Sequence, residues 1–281
     1  MNQFKTYFFL ALLTVLFILV GWALGGRNGA TYALIIAGMF NFITYWLSDK
    51  IILKMYRAHE VAPGEAPELY EIVGELANTA NLPMPKLYLI QSQSPNAFAT
   101  GRNPQNAAVA VTTGIMSLLS RDELKGVIGH ELSHIKDRDI LIGTIAATIA
   151  GAIAWIGTMA RWGAIFGGFG DDRDSRGGNL IFVIIVTMVA SVAAMLIQMA
   201  ISRSREYLAD KEGALICRDP HYLANALRKL DAGARRIPLE ANPSTAHLFI
   251  VNPLSGKGLV NLFSTHPPIQ ERIRRLEEMT L

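Results

Sequence analysis

The segment His130-Glu131-Leu132-Ser133-His134 places two imidazoles four residues apart. Side chains at i and i+4 share one face of a helix, so both rings reach the same metal ion. Glu131 lies between them. A carboxylate in that place takes a proton from an attacking water and returns it to a leaving amine, which is the chemistry of metal-assisted peptide hydrolysis. A catalytic zinc needs a third protein ligand and one open position. Spacing leaves the third donor open. His59, His221, His247 and His266 remain, and a glutamate serves as well. One such glutamate stands in Arg203-Ser204-Arg205-Glu206-Tyr207-Leu208-Ala209-Asp210, a helix opening on which Glu206 and Asp210 share a face. Cys217 is the single cysteine, which excludes an internal disulfide; its apolar neighbours Ala214, Leu215 and Ile216 mark it as a buried small hydrophobe.

These residues need a frame. Ser120 followed three residues later by Glu123 is a capping box, and it starts the helix that carries Leu124, Val127, Ile128, both motif histidines and Ile135. Upstream, residues 67–79 have helical spacing in Leu69, Ile72, Val73 and Leu76. Residues 86–90 alternate as a strand, and 97–99 with 108–112 form a hairpin around Gly101-Arg102-Asn103-Pro104. Downstream, 222–236 is an amphipathic helix with Leu223, Leu227 and Leu230 opposite a basic face. Pro267 and Pro268 start a last helix that packs through Ile269, Ile273 and Leu276. The fold class is mostly α with a small β-sheet, α+β.

Composition sets the environment. Of 281 residues, 51% are hydrophobic and only 17% charged, where a soluble domain carries about 25%. Four stretches reach the ~20 apolar residues that cross a bilayer as a helix, namely 4–24, 30–47, 140–160 and 180–201. The first has features of a signal peptide, but its apolar run is too long for one and a second span follows almost at once. Asn41 and Gln198 lie inside spans and face other helices. Lys50, Lys54 and Arg57 follow the second span, Lys136 and Arg138 precede the third, and Arg203 and Arg205 follow the fourth. By the bias of basic residues toward the cytoplasm, 50–139 and 202–281 lie there, and the Gly- and Asp-rich connection 161–179 faces away. The expected divisions are 1–49, a transmembrane hairpin; 50–139, the first part of the protease domain; 140–201, a second hairpin; and 202–281, the second part. The net charge of +3 comes without a clustered basic stripe, which excludes a nucleic-acid binder and fits loops against an anionic leaflet.

The order His-Glu-x-x-His, a span, Glu-Tyr-x-Ala-Asp and then His-Pro-Pro resembles the HtpX-type membrane zinc metalloproteases, relatives of the CAAX prenyl proteases. The likeness covers nearly the whole chain. It implies a zincin-type domain with four transmembrane helices, one zinc per chain, His130, His134 and Glu206 as ligands and Glu131 as catalytic base. It implies that Asp210 supports the site from behind. Asp139 orients a zinc histidine through its second ring nitrogen, or forms a plain helix-end salt bridge. Asn96, in Asn96-Ala97-Phe98, matches the family's strand beside the cleft and would bind a substrate amide, or else is a turn residue after Pro95. His266 and Arg272, of His266-Pro267-Pro268-Ile269-Gln270-Glu271-Arg272, match residues that approach the cleft, where they would stabilise the oxyanion or grip a carbonyl. The implied activity is an endopeptidase in stress-related quality control at the cell inner membrane. Its substrates are membrane proteins, its surroundings the lipid bilayer, and its partners other membrane quality-control proteases. Two alternatives stand beside it. A CAAX-type processing protease needs a chamber for a prenyl chain, for which four spans are few. A zinc-containing adaptor without activity would not need Glu131.

Overall fold

Apolar surface on both faces of a small sheet decides the architecture. The computed structural model describes residues 2–141, 143–145, 203–236, 250 and 267–280. Helix α1 is Asn2–Met55, broken at Gly25 and Gly26. Gly26 takes a φ of 56°, which a side chain would resist, and the chain reverses there. The limbs on either side pack together. Asn41 Nδ2 donates to Leu10 O at 3.3 Å and Thr14 Oγ1 at 2.8 Å, and the Phe17 and Phe40 rings stack at 6.0 Å. Asn41 thus faces a neighbouring helix. The reversal falls at the glycines, and the helix resumes through Arg27 and Asn28. It then continues unbroken past the expected division at 49/50 and buries Ile52 and Leu53 against the sheet. Among the described residues one helix, Gly25–Met55, is long and apolar enough to cross a membrane. The third apolar stretch is described only at 140, 141 and 143–145, which are helical. The rest of it, the connection 161–179 and the fourth stretch with Gln198 lie outside the described residues.

The strands are β1 His59–Glu60, β2 Lys86–Ile90, β3 Ala97–Gly101 and β4 Ala107–Thr112. Their spatial order is β1-β2-β4-β3. β4 pairs with β2 in parallel and with β3 antiparallel, Phe98 opposite Ala110, so β3 is an edge strand. The hairpin was legible, but the parallel partner was not. β3 occupies the rim, and β4 returns between it and β2. Leu87, Ala97, Ala99, Val109 and Val111 face the main core. Ile90, Phe98, Ala108 and Ala110 face the end of α1. That two-sided burial explains why β4 is almost wholly apolar.

The main core lies between this sheet and helices α2 Pro67–Thr79, α3 Thr113–Leu118, α4 Arg121–Lys136, α5 Arg203–Cys217, α6 Pro220–Arg236 and α7 Ile269–Glu277. Helix α4 begins at the expected capping box. Ser120 Oγ accepts from Glu123 N–H, and Glu123 Oε2 accepts from Ser120 N–H at 2.7 Å. The molecule is mostly helical with a small mixed sheet.

Candidate metal centre

Helix α4 delivers three site residues, the buried His130 and Glu131 and the half-buried His134. Helix α5 delivers Glu206 and Asp210, both buried. The two helices meet through glycine. A Cβ on Gly213 would lie 2.7 Å from His130 N and 2.8 Å from His130 Cα, and one on Gly129 would lie 2.9 Å from Gly213 O. Backbones can approach this closely only where both side chains are absent. Ser133 ties the same contact, its hydroxyl donating to His130 O at 2.7 Å and lying 3.3 Å from Ala209 O. Neither Gly129, Gly213 nor Ser133 stood out in the sequence, because close approach leaves no periodic trace.

The donors converge. His130 Nε2 and His134 Nε2 stand 3.2 Å apart. Glu206 Oε2 is 3.7 Å from His130 Nε2, and its Oε1 is 3.8 Å from His134 Nε2. One ligand atom from each of the three lies within 4.8 Å of the others. A tetrahedral zinc with bonds of about 2.0–2.1 Å holds its ligand atoms about 3.3 Å apart. Two ring nitrogens pointing at each other across that gap, with a carboxylate beside them, fit a dication better than they fit one another. Two imidazoles and a carboxylate are also a donor set of catalytic zinc.

The outer nitrogens are held in turn. Asp139 Oδ1 and Oδ2 lie 3.2 and 3.1 Å from His134 Nδ1, and Oδ2 is also 3.7 Å from Arg205 Nε. Asp139 thus lies between the His134 ring and the Arg205 guanidinium. Asp210 Oδ1 lies 3.0 Å from His130 Nδ1, close by distance but poorly directed for a hydrogen bond. Proximity to a full negative charge outweighs the poor angle, and the contact is an electrostatic one. Asp210 also accepts from Arg272 Nε at 2.9 Å and Nη2 at 2.6 Å. Burial works to raise the Asp210 pKa, but Arg272 and His130 overcome it and hold the carboxyl below its ordinary range. Burial would depress the His134 imidazole, yet Asp139, then Glu206 and Glu131, push it up to about 10. This negative surround is also what a dication requires.

Glu131 has the opposite balance. Burial raises its pKa, and the two histidines oppose that without cancelling it. Its Oε2 accepts from Ala99 N–H at 2.8 Å. That bond fixes the direction of the edge strand. Asn96 O accepts from Thr112 N–H toward β4, so alternate residues, Ala97 and Ala99 among them, direct their backbone groups away from β4.

The other expected residues lie further out. Asn96 is buried, and its Oδ1 accepts from Ile250 N–H at 3.3 Å, while its own N–H donates to Thr112 Oγ1. Arg272 is fully buried, and besides Asp210 its Nη1 donates to Ile250 O at 3.0 Å. Asn96 and Arg272 thus grip the backbone of one residue of the chain itself, Asn96 at the Ile250 N–H and Arg272 at the Ile250 carbonyl. His266 and His247 lie outside the described residues. Cys217 is half-buried, its thiol donating to Lys125 O at 3.0 Å, and burial pushes it up to about 12.

The family model described as Peptidase family M48 matches residues 63–280. Among curated relatives, a "Protease HtpX homolog" of Thermodesulfovibrio yellowstonii is 60% identical over 279 residues, covering 99% of this chain and 99% of the relative. Proteins of the same description are 58% identical in Desulfatibacillum aliphaticivorans, covering 98% and 89%, and 55% identical in Thermococcus kodakarensis, covering 98% and 95%. Among solved structures, the crystal structure of Ste24p from S. mikatae matches with a TM-score of 0.53 at 17% identity, across 95% of this chain and 62% of that one. That likeness is one of fold.

Proposed function

The chain belongs to peptidase family M48 and is a zinc metalloprotease, and from that premise we propose that His130, His134 and Glu206 hold the zinc while Glu131 carries the proton. The observation that carries this reading is the convergence of those three donors beside a buried carboxylate on an edge strand. Bound zinc supplies Lewis-acid polarisation of a carbonyl and brings a water toward a pKa of about 7. Glu131 takes the water proton and delivers it to the leaving amine nitrogen. Burial holds its pKa above the ordinary carboxylate range and the two histidines oppose that, which suits a group that must take up a proton and then give it back. Ala99 N–H fixes the direction of the carboxylate. Asp139 orients His134 through its Nδ1, and Asp210 places its charge 3.0 Å from His130 Nδ1.

The outward edge of β3 is where an extended substrate pairs, backbone to backbone. The contacts of Arg272 favour positioning Asp210 over touching substrate. Asn96 binds at the same rim, beside the Ile250 peptide that a substrate amide would replace. His266, assigned by resemblance, donates to the oxyanion.

The anchoring is a hairpin formed by α1 and a second one from 140–160 and 180–201, with the two parts of the protease domain on the cytoplasmic side. The basic residues at the span ends support this orientation. The work of such an enzyme is to cut misfolded or damaged membrane proteins of the cell inner membrane under stress.

The test is casein cleavage by the purified chain in detergent. Chelator should abolish cleavage and added zinc restore it. Cleavage that persists after zinc is fully removed would sink the reading.

A further inference from the structure

The edge strand is laid along the membrane helix. Arg102, just past the end of β3, stacks its guanidinium 4.7 Å over the Trp46 ring, and Phe98 meets Tyr56 with ring centroids 5.5 Å apart. From Trp46 to Tyr56 the helix rises about 15 Å. From Arg102 to Phe98 the strand spans about 13 Å. The two lengths are similar, so β3 lies alongside this part of the helix, with its Gly101 end toward the apolar limb of α1.

Trp46 marks where that limb leaves lipid. Phe42, Trp46 and Lys50 are exposed at four-residue spacing along one face, in the order apolar, amphipathic aromatic, cation. That is the order of an interfacial crossing. Arg102 adds a second cation at the level of Trp46, where headgroup phosphates lie. A separate element agrees. Thr100 Oγ1 is 2.9 Å from Thr144 Oγ1, one helical turn into the apolar stretch that begins at Ile140, and Asp139, beside that start, holds the ring of His134.

The height of the reacting bond above the membrane is therefore fixed by the fold. Ala99, whose N–H holds the Glu131 carboxylate, is three residues along the strand from Arg102, or about 10 Å. We infer that the enzyme selects membrane-anchored chains by distance: it cuts extended juxtamembrane segments, sparing the first roughly three residues outside the headgroup level, because the outward edge of β3 holds the scissile peptide at that height. This deepens the protease reading and rests on it. A tail leaving the bilayer as a strand needs about three residues to reach Ala99. Bonds nearer the membrane do not reach. Bonds further out do, but the effective concentration of a tethered segment falls with roughly the 3/2 power of tether length, so cleavage declines outward.

The test uses the full chain in liposomes and two substrates. One is a single transmembrane helix followed by a tail of one repeated six-residue unit, taken from a bond that the enzyme cuts in casein. The other is the same tail without the helix. Fragments are placed by mass spectrometry. The free tail should be cut alike in every unit. In the anchored tail the bonds within about three residues of the headgroup level should be spared. Cleavage should peak just beyond them and fall several-fold by twenty residues further. Lengthening the spacer between helix and repeat until the first unit's bond passes that limit should turn the bond from spared to cut. Anchored and free tails giving one pattern, or bonds against the helix cut as fast as the rest, would overturn the inference. A free tail left uncut would instead remove the protease reading beneath it.

Discussion

The Asp210 carboxylate joins the metal centre to the body of the protein. It lies against a ring nitrogen of His130 on one side and receives two hydrogen bonds from the fully buried Arg272 on the other. Asp210→Asn removes one charge of a buried pair and leaves a guanidinium without its counter-ion. We expect a loss of about 3–5 kcal/mol of stability. Thermal unfolding of the zinc-loaded protein should show it as a lowered midpoint, and an unchanged midpoint would show that the pair contributes nothing. At this scale the sequence was uneven. His130, Glu131 and His134 were legible because a helix turns their spacing into a shared face. Glu206 was one donor among several until the family likeness singled it out, since its partners stand more than seventy positions away and spacing carries no information over that range. The burial of Arg272 was not legible at all. A charged residue on a short amphipathic helix reads as surface, and only the fold reveals the carboxylate behind it.

Between the helices, contact depends on what is missing. Gly213 presses on the backbone of His130, where a methyl group would meet atoms that cannot swing aside. Gly213→Ala should push α5 from α4, draw Glu206 away from the histidines, and lower zinc content and cleavage together. Gly74, in α2, has open space where its Cβ would be. Gly74→Ala should keep zinc and activity and gain about 0.5–1 kcal/mol of stability from lost chain freedom. Elemental analysis and thermal melts on both variants separate crowding from substitution as such; equal zinc in the two would contradict the packing argument. The elements themselves were well marked. The capping box set the start of α4, and the apolar spacing of α2 set both its ends. The pairing of β2 with β4 was not marked, because a hairpin gives the same alternation whichever of its strands turns toward a third. The glycine contact was invisible for a related reason: two small residues carry no pattern until their helices meet.

For the whole molecule, the apolar runs and the basic residues at their ends propose a chain whose protease parts share one side of the membrane. Reporter fusions after Lys54 and at Leu281 should read cytoplasm, and one at Arg27, next to the reversal of α1, should read the opposite side. A signal from the far side at Leu281 would mean a miscounted span. The hairpin of α1 was legible as two apolar runs, but its continuation into the sheet was not, because Ile52 and Leu53 follow charged residues that read as the end of a span. That continuation couples membrane anchor to metal centre, and the account as a whole depends on one zinc per chain held by three residues and used by a fourth. The direct test is zinc content and casein cleavage measured on the same preparations of wild type, Glu206→Gln and Glu131→Gln. Wild type should carry about one zinc per chain and cleave. Glu206→Gln should lose zinc and cleavage together, since a neutral amide is a poor donor to the dication. Glu131→Gln should keep its zinc and lose cleavage, since an amide cannot accept the water proton. Full zinc with near-normal cleavage in Glu206→Gln, or cleavage retained in Glu131→Gln, would contradict the account.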